Sequence, residues 1–293
     1  NAADLHARTK DSKLEQMRRS VAQTADLALE MVQREKLGRS KKPDILSISF
    51  SAHDIVGHET GDDSSEIHEI LKEEDFQIQR LITEIQKQLP GKKVVFALTG
   101  DHGSGQDIKK AQKDYPVPSG RIDKEKFKKT IEACLSKNGV NAEPVFFEGS
   151  VFFKEVSGDV MAARKTLKQC LIDQKDSVWF AYTRDEILTN QVSPTPQGLR
   201  LINHFNPLRG PDVVAFWNPY WNWGLDKPVQ HETPYDYDSA VPLGVYWAGM
   251  KPKKVHRRVQ VTSLAPTLAR ILAVRRPSGA QSEYLTEVLD SLP

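Results

Sequence analysis

Five residues in three separated stretches carry the chemistry a divalent metal ion needs. Asp54 and His58 lie in SFSAHDIVGH, Asp101 and His102 in FALTGDHG, and His231 in VQHETPYDYD. Carboxylate oxygen and imidazole nitrogen are ligands that a borderline cation such as zinc accepts. Asp54 and His58 are four residues apart, which one turn of helix puts on one face. Gly103 and Gly105 follow the adjacent Asp101-His102 pair, and glycine there would let the backbone approach a metal or phosphate closely. Singly, each piece is more often a cap or a surface pair than a ligand set. The ordered set, with two members just past apolar runs, carries the reading.

Those apolar runs predict the elements that must position the site. LSISF, in 44–50, and VVFALT, in 93–99, read as buried strands, and open α/β sheets bind ligands at the carboxyl ends of such strands. Between them, Asp63 with Glu66 predicts the start of a helix running to about Leu89, stopped by Pro90-Gly91. The result is a strand, helix, strand unit of a parallel sheet. Upstream, Leu14, Met17, Val21, Ala25, Leu27, Leu29 and Val32 recur at helical spacing, predicting an amphipathic helix over 10–36 that ends near Gly38. After Gly105 the texture changes. Helices are expected at 123–137 and 158–172, paired apolar runs at PVFFEG and SVFFKE, a strand at SVWFAYT, and a short helix opened by a Thr183/Glu186 capping box. PDVVAFW (211–217) and VPLGVYWAG (241–249) read as returns to the main sheet, and 262–273 as a closing helix. The expected architecture is therefore a core of residues 1–106 and 204–293, with an inserted α+β subdomain over 107–203.

Composition narrows the partners. With 41 basic and 39 acidic residues in 293, the net charge of +2 gives no case for nucleic acid as a partner. The runs Arg39–Lys42 and Lys251–Lys254 read as solvated loop charges. No apolar window reaches the ~20 residues of a membrane span. Cys134 and Cys170 fit neither a disulfide scaffold nor a zinc knuckle; one bridge between them and two free buried thiols are equally open. Asn1-Ala2, without an initial methionine, reads as a scar of tag removal.

At this point the residues match a family. The chain resembles the alkaline phosphatase superfamily, in the branch of type I phosphodiesterase/nucleotide pyrophosphatases and phosphate-irrepressible bacterial alkaline phosphatases. SFSAHDIVGHETGDDSSEI, LTGDHG and HETPYDYDSAVPLGVYWAG carry the resemblance, with PSGRID, AYTRDEI, FNPLRGPDVVAFWNPYW and VTSLAPTLARILAV as further echoes from Asp44 to the C-terminus. It implies a three-layer α/β/α core with a mostly parallel sheet and two zinc ions. Asp54, His58 and His231 would hold one, and Asp101 and His102 would share the other. The resemblance also implies an N-terminal half carrying another Asp ligand and a Thr or Ser nucleophile. Nothing before Asp54 matches either, so the expectation is a C-terminal part that is itself inactive.

The chemistry so implied is in-line phosphoryl transfer between two metals, on a small phosphate ester, in a periplasmic or secreted protein. A phosphomonoesterase is favoured, because PSGRID, AYTRDEI and FNPLRGPD stand closest to the bacterial phosphatases. The alternatives are a phosphodiesterase or nucleotide pyrophosphatase of the same superfamily, a cofactor-independent phosphoglycerate mutase, and a non-catalytic relative acting as a binding module. Two departures favour the last: Glu232 follows His231 where the family has Gly, and Ser263 stands where it has Asp. Around the ligands, His53, Tyr235, Asp236 and Asp238 are either supports or turn residues. His6, His68, His204 and His256 read as surface or satisfied core residues, and Trp217, Tyr220, Trp221 and Trp223 as packing rather than a lid.

Overall fold

The computed structural model describes residues 2–225, 227–231 and 233–292, with side chains from residue 12 onward. Asn1, Glu232 and the side chain of His6 lie outside the described residues. In chain order the elements are α1 (Ala2–Arg34), α2 (Ala52–Thr60), α3 (Ser65–Gln88), β1 (Phe96–Thr99), α4 (Ile108–Asp114), β2 (Gly120–Ile122), α5 (Lys124–Lys137), β3 (Ala142–Phe147) and β4 (Ser150–Val156). There follow α6 (Val160–Ile172), β5 (Val178–Thr183), α7 (Arg184–Leu188), α8 (Pro196–His204), β6 (Val213–Trp217), β7 (Trp221–Trp223), α9 (Asp236–Ser239), β8 (Leu243–Tyr246), α10 (Leu264–Ile271) and α11 (Thr286–Leu289). They form two compact units, one of residues 1–56, 65–101 and 241–293, the other of 57–64 and 102–240. The division falls inside α2.

In the first unit, α1 ends where Lys36 and Gly38 take positive φ, and the Gly38 N–H donates to Asp44 at 2.7 Å. Ala25, Ala28 and Val32 of α1 pack on Leu81, Ile85 and Leu89, and Arg80 pairs with Asp26 at 2.6 Å across the two helices. A second cluster of Val21, Ala52, Val56, Ile67 and Ile70 anchors the first half of α2. α3 begins at Ser65, and Asp63, expected at its start, instead accepts from the Lys110 ammonium.

The expected parallel unit is corrected here. Leu46, Ile48 and Phe50 lie against the α1/α3 cluster, but residues 44–50 carry no strand pairing among the described residues. β1 pairs antiparallel with β8, Phe96 opposite Tyr246. An apolar run fixes which side chains turn inward; its ladder depends on which neighbour is present.

The second unit is built on a four-stranded antiparallel sheet in the order β3-β4-β6-β5. β6, read from PDVVAFW as a return to the main sheet, is an inner strand here, and residues 204–240 group with 102–203. Val213, Val214 and Ala215 are buried, so their apolar run fits any strand covered on both faces and does not name its sheet. Gly149 is required where the β3–β4 hairpin meets β6, because a Cβ there would lie 2.2 Å from the Ala215 carbonyl oxygen. Asp123 caps α5 and Asp159 caps α6, and the Thr183/Glu186 capping box opens α7 as expected.

Two of the sequence echoes turn out to hold each other. Arg184 of AYTRDEI donates to the Gly210 carbonyl at 2.7 Å, while Asp212 of FNPLRGPD accepts from Arg164 at 2.7 Å and from the Phe153 N–H at 2.8 Å. Arg164 also reaches Asp185 at 3.0 Å. Trp217 and Trp223 stack at 5.2 Å with Phe127 edge-on to both, which is core packing.

Cys134 of α5 and Cys170 of α6 are joined by a disulfide, which settles the open question of the two thiols. It closes a segment with a sequence separation of 36 residues, so the chain-entropy account assigns it about 3 to 4 kcal/mol. In the Cys134→Ser/Cys170→Ser variant, the unfolding free energy from urea titration should fall by about that amount, with the midpoint moved to lower denaturant. An unchanged midpoint would show that the bridge constrains nothing the unfolded chain explores.

Candidate metal centre

Ala52 and Val56 fix one face of α2 in the first unit's core. Asp54 and His58 follow each of them by two residues, about 200° round the helix, so both project from the opposite face. The expected sharing of a face therefore holds. His58 stands in the half of α2 that belongs to the second unit. Its Nδ1 lies 2.9 Å from the Val229 carbonyl oxygen, and its Nε2 lies 3.1 Å from Nε2 of His231. One ligand atom from each of Asp54, His58 and His231 lies within 4.8 Å of the other two.

This arrangement fits a cation. An imidazole whose Nδ1–H donates to a carbonyl carries its lone pair on Nε2, the usual way a ligating histidine is oriented. That lone pair faces a second imidazole nitrogen, a contact that needs a proton or a cation between the two. Two nitrogens bound at ~2.0–2.1 Å on a tetrahedron lie about 3.3 Å apart, close to the observed spacing. A carboxylate and two imidazoles form a three-ligand zinc set with a fourth position open.

The second pair is arranged differently. The ring of His102 stacks on His231 with centroids 3.7 Å apart, and its Nδ1 lies 2.9 Å from the Gly103 carbonyl oxygen. Nε2 of His102 is the ring nitrogen turned away from that carbonyl. Asp101 is exposed. Among the described residues, neither joins a group of three ligand atoms.

The glycines beside this pair serve a purpose other than the expected one. A Cβ on Gly103 would lie 2.3 Å from the Tyr237 carbonyl oxygen, and one on Gly105 would press on the Tyr237 ring at 3.2 Å. They admit the 231–240 loop rather than a phosphate. The Gly103 N–H donates to the Asp238 carbonyl at 2.7 Å, and the Asp238 carboxylate accepts from the Thr233 N–H at 2.8 Å and its hydroxyl at 2.5 Å. Asp238 thus pins both the chain after His102 and the chain two residues past His231. Burial outweighs the Thr233 donors and pushes its carboxyl up to about 6.

The other candidate supports find other partners. Tyr235 donates its hydroxyl to the Trp217 carbonyl at 2.7 Å, and burial raises its pKa. Asp236 pairs with Arg200 at 3.2 Å. His53 lies 3.4 Å from Glu74, whose hydrogen bond raises the imidazole pKa against the opposing effect of burial. Sequence reading missed Val229, Thr233 and Tyr237. Val229 acts here through its backbone carbonyl, which leaves no trace in residue type, and Tyr237 through both its carbonyl and its ring.

Comparison with known proteins agrees with this fold. The family model for type I phosphodiesterase / nucleotide pyrophosphatase matches residues 3–221, and the chain belongs to that family. Among curated relatives, it is 25% identical over 281 residues to the alkaline phosphatase PhoV of Synechococcus elongatus, covering 91% of this chain and 48% of that one. It is 27% identical over 284 residues to a protein named calcium-transporting ATPase from Myroides odoratus (91% and 50%), and 25% identical over 281 residues to the alkaline phosphatase PafA of Elizabethkingia meningoseptica (91% and 49%). The crystal structure of wild-type PafA superposes with a TM-score of 0.77 at 22% identity, covering 90% of this chain and 51% of that one. A structure of a multiply substituted PafA gives 0.79 at 23% identity. The fold is thus α/β of the alkaline phosphatase kind, and the chain spans about half the length of the curated relatives it matches.

Two outcomes follow from the Asp238 clasp. Asp238→Ala should weaken zinc binding about 10- to 100-fold with an unchanged far-UV spectrum, as loss of a ligand's support does; full affinity would make the clasp irrelevant to His231. In metal-free protein, the folded-state value near 6 lies above the usual 3.8, so this group's contribution to stability is fully present below about pH 4 and lost as pH rises through 6. Asp238→Asn should flatten that part of the urea stability profile, and an identical profile would contradict the assignment.

Proposed function

We propose that the chain is the C-terminal, metal-holding part of a zinc-dependent phosphoric ester hydrolase that acts on small phosphomonoesters. The observation that carries this is the Asp54, His58 and His231 group, with His58 oriented by the Val229 carbonyl. Zinc bound there supplies Lewis acidity and lowers the pKa of a coordinated oxygen. In this reading Asp54, His58 and His231 hold one ion, and His102 offers Nε2 to a second with Asp101. Val229 keeps the His58 proton on Nδ1, and Asp238 holds the loops of His102 and His231. The nucleophile and the remaining ligands come from a part of a longer polypeptide outside these 293 residues. The twofold greater length of the relatives supports that, as does the absence before Asp54 of a stretch matching the family's nucleophile segment.

A phosphomonoester substrate is supported by relatives named alkaline phosphatases, PhoV and PafA. The second reading, a phosphodiesterase, is favoured by the description of the family itself. The Cys134–Cys170 bridge supports a periplasmic or secreted location, since disulfides persist in oxidising compartments. Among the described residues, no helix is long and apolar enough to cross a membrane. Ser263, read as a sign of degeneracy, is buried at the start of α10, where its carbonyl accepts from Thr267 at 2.7 Å.

Calorimetric titration of the metal-free chain should show one tight zinc site, abolished in His231→Ala and retained in His102→Ala. Absence of zinc heat, or a site indifferent to His231, would remove the basis of the proposal. With p-nitrophenyl phosphate and its diester in excess zinc, the chain alone should show no turnover above buffer. Turnover lost in His102→Ala would place a nucleophile within these residues.

A further inference from the structure

In the first unit, residues 251–258 lie between β8 and α10 with the sequence KPKKVHRR. All eight are exposed and belong to neither helix nor strand. Lys251, Lys253, Lys254, Arg257 and Arg258 are cations, and none of the eight is acidic. The whole chain is nearly neutral, with 41 basic and 39 acidic residues. Setting these five cations aside leaves 36 basic residues against 39 acidic ones, so the run carries +5 and the remainder −3. Charge segregated in this way marks a contact surface, whereas interspersed charge serves solubility.

The run is tethered rather than loose. At its start the Met250 N–H donates to the carbonyl of the buried Trp247 at 3.1 Å, and near its end Arg257 donates to Glu287 at 2.8 Å. Ser282 bonds Gln260 at 2.8 Å and Thr262 at 2.6 Å, and Arg276 donates to the Ser282 carbonyl at 2.8 Å, so a sixth cation lies beside the run. Glu283 and Glu287 both act on Arg257, but Lys251, Lys253 and Lys254 have no ion-pair partner among the described residues. We propose that residues 251–258 are a docking surface for anionic lipid headgroups, through which the chain binds reversibly to a negatively charged membrane. Clusters of about four to eight Lys or Arg bind such surfaces, each adding to the attraction within a Debye length of ~8 Å. A membrane met at the run therefore feels its +5, while the negative remainder is screened. A nucleic acid lying across the chain would meet that remainder as well, and the run has no Phe, Tyr or Trp on which a base could stack. Val255, 43% exposed in the middle of the run, suits the headgroup boundary. Among the described residues no helix is long and apolar enough to cross a membrane, so the attachment is peripheral and sensitive to salt. It is independent of the metal centre.

Co-sedimentation of the chain with phosphatidylcholine vesicles, with and without phosphatidylglycerol, tests it at low and high salt. The chain should pellet with the anionic vesicles at low salt, stay in solution with the neutral ones, and be released at high salt. Lys251→Gln/Lys253→Gln/Lys254→Gln should weaken binding ~100-fold. Lys113→Gln/Lys126→Gln/Lys129→Gln removes the same charge from exposed lysines of the second unit and should leave binding nearly unchanged. No binding to anionic vesicles would overturn the proposal. Equal loss in the two triple variants would also overturn it, because net charge and not this run would then be responsible. So would tighter binding of the run to a DNA or RNA oligonucleotide than to the vesicles, which would make nucleic acid its ligand.

Discussion

A single main-chain bond, from the Gly103 N–H to the Asp238 carbonyl at 2.7 Å, ties the loop of His102 to the loop of His231. Much of the site depends on it. Only glycine fits at 103, because any Cβ there would run into the Tyr237 carbonyl. The Asp238 side chain turns back to hold Thr233, and Tyr235 is held by the Trp217 carbonyl at the end of β6. The stacking of His102 on His231 at 3.7 Å is the product of these constraints, and His58 joins through the Val229 carbonyl. Backbone contacts therefore set the imidazoles, and the side chains that ligate are a small part of what positions them.

The parts of this that were legible in the sequence are those encoded in residue type and spacing. The i, i+4 pair on α2, the capping box at Thr183, and the stop of α1 near Gly38 each depend on local backbone geometry, and each is found. The convergence of His58 with His231, 173 residues apart, followed from a family resemblance and not from periodicity. What could not be read was pairing. The run at 44–50 shows which residues turn inward but not whether a neighbour exists, and β6 carries the same apolar signature in one sheet as it would in another. Gly103 showed that a close approach occurs there without showing what approaches.

Electrostatics sorts supports from ligands where sequence left both open. His53, next to Asp54, has Glu74 as a partner and a raised pKa, which describes a charge pair in the first unit's helical layer. Asp238 is buried and hydrogen-bonded through Thr233, a role that a surface turn residue does not fill. The partly buried Arg164, shared between Asp185 and Asp212, explains two family-like stretches as structural ties within the second unit.

The central claim is that one carboxylate and two imidazoles converge to hold zinc with a position left open. X-ray absorption at the zinc edge of the loaded chain tests it most directly. The account predicts about two imidazole nitrogens, with their outer-shell ring scattering, and oxygen ligands, all at ~2.0–2.1 Å and without sulfur. An all-oxygen shell, or one unchanged when His58 and His231 are both replaced by alanine, would contradict it.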